Sequence, residues 1–238
     1  MKQDGREKFF NYAYGTRTAM SKMRVQGTQA DESKMLIMSL THTPAVITVG
    51  DAGINASIKG FGFVPKPEYM EEILEKYIAH MKTYDWSEGA DNTEYHKKAY
   101  ELLYETKYAP ENQHKVDKTR LISIEMAKHF NVEHNRDAEV VAHTYTNVVN
   151  KGPVDATLIY YTPAIITYEL RGKLTMHGHY GMKEDEMDLY QKFVNAQHDM
   201  NGRPFFDRWK NWPVYVFDIE EVYENSIATA DGWGKRIF

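Results

Sequence analysis

The chain has 238 residues, 42% of them hydrophobic and 26% charged, with 29 basic against 34 acidic side chains and a net charge of −5. That balance suits a packed core in one large domain or two small ones, and it argues against nucleic acid as the main partner because no basic run exceeds Lys97-Lys98. The lack of cysteine excludes disulfides and thiolate chemistry. There is no apolar stretch of the ~18–20 residues needed to span a bilayer. The charged start leads into no apolar leader, so a cytoplasmic protein is expected.

In chain order, residues 4–24 read as an opening helix carrying Phe9, Phe10, Tyr12, Tyr14 and Met20, ended by Gly27. Short strands are expected at Met35–Met38, Val46–Val49 and Ile54–Phe63, separated by turn-forming Pro44 and Gly50–Gly53. After Pro65 and Pro67, the pairs Tyr69/Met70, Ile73/Leu74 and Tyr77/Ile78, then Met81, step by four and predict a helix. Further helices are predicted at 92–107 and 117–130. Strands return at Glu139–Asn150, Val154–Tyr161 and Ile165–Tyr180. A helix over Glu184–Asp199 and a strand over Val214–Val222 complete the pattern. Helices and strands come in blocks, which favours an α+β fold with a mostly antiparallel sheet over a doubly wound one.

The halves of the chain echo each other. Thr43-Pro44-Ala45-Val46-Ile47-Thr48 returns as Thr162-Pro163-Ala164-Ile165-Ile166-Thr167, and Arg17 and Ala19 match Arg136 and Ala138 at the same offset. A tandem duplication would leave this trace, with related halves 1–119 and 120–238 inside one compact α+β unit and a helical segment 66–131 between the sheet-forming regions. Chance similarity is the competing explanation.

Nucleotide-binding glycine loops, a nucleophile elbow and the zincin His-Glu-x-x-His pattern are all missing. The most distinctive local motif is His177-Gly178-His179. On a continuing strand both imidazoles would point the same way as Thr175. Such a pair suits a metal, an acid–base role near neutral pH or plain hydrogen bonding, and no metal is assigned to it. On Glu139–Asn147 the alternation puts His143, Tyr145 and Asn147 on one face, which would make either a polar pocket floor or a solvated surface.

His42 stands just ahead of Thr43-Pro44-Ala45-Val46 at the head of a strand, after a tyrosine-bearing first helix. Over about residues 9–64 this arrangement resembles the SnoaL-like members of the nuclear transport factor 2 superfamily. The resemblance implies a curved sheet, a cone-like half-barrel wrapped by helices around an apolar pocket. It also implies cofactor-independent proton transfer, with His42 as the imidazole and Tyr12 or Tyr14 as the phenol. The family's acidic partner has no counterpart. Arg17 stands nearby instead, which favours holding an anionic or phenolate oxygen.

The resulting expectation is a cofactor-independent lyase, dehydratase or isomerase using His/Tyr acid–base chemistry on a small apolar, aromatic or polycyclic substrate. Its candidate catalytic residues are His42, Tyr12, Tyr14, Arg17, His143, Tyr145, His177 and His179. A homo-oligomer without nucleic-acid or membrane partners is expected. The alternatives are an FMN-binding split-barrel oxidoreductase and a non-catalytic carrier of a hydrophobic ligand.

Overall fold

The computed structural model describes residues 5–11, 45–48, 57–59, 62–107, 109–123, 153–161, 167–179, 181–202, 214–225 and 234–238. In chain order its elements are helical residues 5–11 (α1), β1 (Ala45–Thr48), β2 (Ser57–Lys59), β3 (Gly62–Pro65) and α2 (Pro67–Met81). Then come α3 (Thr93–Lys107), β4 (Val116–Ser123), β5 (Val154–Tyr161) and β6 (Thr167–His177). α4 (Leu189–Gly202), β7 (Val214–Glu224) and β8 (Lys235–Arg236) follow. All eight described strands join one open, curved sheet in the order β2-β1-β5-β6-β7-β4-β3, with β8 on β7. Every pairing is antiparallel. The fold is α+β.

Side chains alternate across a strand, so the registers fix two faces. Tyr168, Leu170 and Leu174 of β6 stand opposite Glu224, Val222 and Phe217 of β7, and Leu121 of β4 continues the row to Phe63 of β3. This face is the apolar one, and α1 lies on it. The buried Phe9 ring meets Tyr168 edge-on at 5.5 Å, and Phe10 lies 5.5 Å from Phe63. Lys8 Nζ bonds the Glu224 carboxylate at 2.5 Å. The opposite face carries Thr175 and His177 of β6, Val214, Val216 and Asp218 of β7, and Arg120 and Ile122 of β4. Gly172 marks a break in the β6–β7 register, because a Cβ there would overlap the carbonyl oxygen of Asp218.

α2 begins on Pro67, whose missing N–H costs nothing in a first turn, and buries Met70, Ile73, Tyr77 and His80 along one stripe. Tyr77 links α2 to α3 through a 2.7 Å hydrogen bond between its hydroxyl and that of Thr106. Its ring also packs 5.8 Å from Phe193 of α4. Buried Lys107 at the end of α3 donates to Gln197 Oε1 and lies over the Phe193 ring. The three helices thereby form one layer.

Most predicted elements appear within a few residues of their expected bounds. The exception is 117–130, expected as helix: residues 116–123 form β4 instead. This segment carries β-branched Val116, Thr119 and Ile122, and β3 and β7 pair on its two edges. Those ladders override the helix preference of its Lys and Arg residues. The expected strands Met35–Met38 and Glu139–Asn150 lie outside the described residues, and so does all of the second Thr-Pro-Ala echo except Thr167.

Candidate functional site

Of the eight residues singled out from sequence, His42, Tyr12, Tyr14, Arg17, His143 and Tyr145 lie outside the described residues. His177 and His179 are described, and they do not share a strand face. β6 ends at His177, and Gly178 turns the chain with φ +73°. That left-handed conformation suits glycine, and it sends His179 to an exposed position in the following turn. The same-side pairing of the two imidazoles is therefore lost. Among the described residues no group of three His, Cys, Asp or Glu side chains could hold a metal.

His177 instead meets the start of α4. Its Nδ1 lies 2.5 Å from Asp188 Oδ2. Asp188 Oδ1 accepts the backbone N–H of Gln191 at 2.9 Å, and its carbonyl accepts that of Lys192 at 3.0 Å. Asp188 is thus the N-cap of α4, and the sequence Asp188-Leu189-Tyr190-Gln191 places an amide three residues on, as capping patterns do. Burial pushes the Asp188 carboxyl up, but the hydrogen bonds and charge from His177 and the α4 amides outweigh it and hold it below the ordinary carboxylate value. The carboxylate fixes His177 with the proton on Nδ1. Nε2, which makes no hydrogen bond to a described residue, is left as the lone-pair nitrogen.

Tyr190, two residues into α4, sets its ring 5.0 Å from the His177 ring. Its phenol oxygen accepts Nη1–H of Arg120 at 2.6 Å, while Arg120 Nε donates to Asp218 Oδ1 at 2.6 Å. Burial raises the phenol above its ordinary value against the opposing pull of Arg120, so Tyr190 keeps its proton at neutral pH. The Arg120 guanidinium is itself held charged, chiefly by its bond to Asp218. Because the phenol oxygen is occupied by a cationic donor, its O–H is the group left to give.

Two further features complete the site. Val214, Val216 and Ile122 share the sheet face of His177 and are buried, which gives an apolar floor. Gln191 packs beneath Gly178, where any Cβ would strike its amide. Gln191 is only 1% exposed and its Nε2 has no hydrogen-bond partner. Sequence reading found His177 but missed Asp188, Tyr190 and Arg120. The capping pattern was the one available signal for Asp188. Arg120 was hidden in a segment expected to be helical.

Among the described residues no helix is long and apolar enough to cross a membrane. Comparison with protein-family models, curated proteins and solved structures finds no match to this chain.

Proposed function

We propose that this chain is an enzyme that moves protons on a small, largely apolar substrate without a resident cofactor, with His177 as base and Tyr190 as acid. One observation carries the reading: an imidazole oriented by a carboxylate stands beside a phenol polarised by an arginine, over an apolar floor. His177 Nε2 takes a proton from carbon next to a carbonyl. The developing oxyanion takes its hydrogen bond from the Tyr190 O–H, backed by the Arg120 charge. Return of the proton to another carbon gives isomerisation. Loss of a β-hydroxyl, protonated as it leaves, gives dehydration. The likeness of residues 9–64 to SnoaL-like proteins favours the same class of chemistry, with His42, Tyr12, Tyr14 and Arg17 as its matching groups.

The test is deuterium exchange and water loss, followed by NMR in D2O, across a panel of aryl ketones and β-hydroxy ketones. Catalysis that disappears in folded His177→Gln supports the reading. Catalysis that persists in that variant, or a panel untouched by the wild type, ends it. A yellow, flavin-bearing protein on purification would favour the split-barrel oxidoreductase instead.

A further inference from the structure

α2 carries a second apolar stripe. Its core stripe is Met70, Ile73, Tyr77 and His80, whereas Leu74, Ile78 and Met81, one step around the helix, are only half-buried. These three form one wall of a groove of about 700 Å³ whose other wall is α4 and whose end is the segment 184–187. Met187 and Ala196 extend its apolar lining. The volume lies within the ~300–1,000 Å³ typical of small-molecule sites. His177, Tyr190 and Arg120 do not line it, so the groove is separate from the candidate acid–base site.

The charges along the groove are one-sided. Glu184 and Asp185 at its end and Asp199 on α4 contribute three carboxylates, against the single ammonium of Lys192. An anion would meet repulsion there, and a neutral apolar body would leave the carboxylates unused. We propose that the groove binds an amphiphilic amine, with its alkyl or aryl body along Leu74, Ile78 and Met81 and its ammonium at Glu184, Asp185 and Asp199. Attraction at partly solvated carboxylates is modest for each one, and together the three account for about a tenfold preference.

The probes are octyltrimethylammonium, octyl sulfate and octanol, titrated by calorimetry and by NMR of methionine methyl groups. The ammonium is expected to bind about tenfold tighter than the sulfate and to shift the Met81 and Met187 methyl signals. E184Q/D185N/D199N should erase that preference and leave octanol binding unchanged. The exposed pair E184Q/D185N alone, which spares half-buried Asp199, should erase part of it in a protein with unaltered thermal unfolding. Binding of the ammonium by H177Q should match wild type, which separates this proposal from the acid–base reading. Equal affinity for the sulfate, an undiminished preference in the folded double variant, or unmoved Met81 and Met187 signals would overturn it.

Discussion

Two histidines show how one side chain serves two ends in this fold. His80 on α2 is 8% exposed, stacked on Tyr95 with rings 4.3 Å apart and 16° from parallel, and its Nε2 lies 2.9 Å from the Tyr95 carbonyl oxygen. Its hydrogen-bonding nitrogen is spent on backbone. His177 is 22% exposed; its tied nitrogen faces a carboxylate and the other is uncommitted. Burial with a backbone partner makes an imidazole a packing element. Partial exposure with a carboxylate partner makes it a reagent.

The sharpest way to break that contrast is to remove each ring. His177→Gln should lower turnover about 10²–10⁴-fold, the usual worth of general acid–base catalysis, while the melting temperature stays near wild type. A large loss of stability with unchanged turnover would reverse the two assignments. His80→Ala should do the opposite, costing about 2–4 kcal/mol in urea unfolding as a buried ring is lost, with the turnover of the remaining folded protein intact.

Tyr190→Phe is a smaller perturbation, since the ring stays and only the phenol is lost. A hydrogen bond to a charged group contributes about 1.5–3 kcal/mol, so turnover should fall roughly ten- to a hundredfold in steady-state assays. The smallest effect is on pH dependence. Burial lowers His80 below its ordinary value of 6.5, with Lys98 and His96 adding to that against the hydrogen bond to Tyr95. The unfolded chain therefore binds this proton first. Stability is complete above that ordinary value and declines as pH falls through it toward the lower folded value. Asp188, held below its ordinary 3.8, keeps its contribution to more acidic pH and loses it as pH falls through its own folded value. Urea titrations across pH should show His80→Ala flattening the upper slope and Asp188→Asn the lower one.

Much of the scaffold was legible because its signals are local. Pro67 and the four-residue stepping mark α2, and runs rich in β-branched and aromatic residues mark β5 and β7. The site was less legible because its contacts are not local. Arg120 reaches Tyr190 and Asp218 only because β4 pairs with β7, and no periodicity within 117–130 reports that pairing. The His177-Gly178-His179 motif promised a matched pair until a left-handed glycine ended the strand between them. Tyr190 looked apolar in sequence, one of a row with Phe193 and Val194, yet its hydroxyl faces a cation.

A single side chain at position 188 both starts a helix and aims an imidazole. Serine or asparagine there would begin α4 about as well, but neither brings the negative charge that steadies a positively charged ring. Selection for heat resistance alone would accept such replacements and silence the chemistry unnoticed. Selection for turnover would hold the acidic residue in place and inherit the sturdy helix with it.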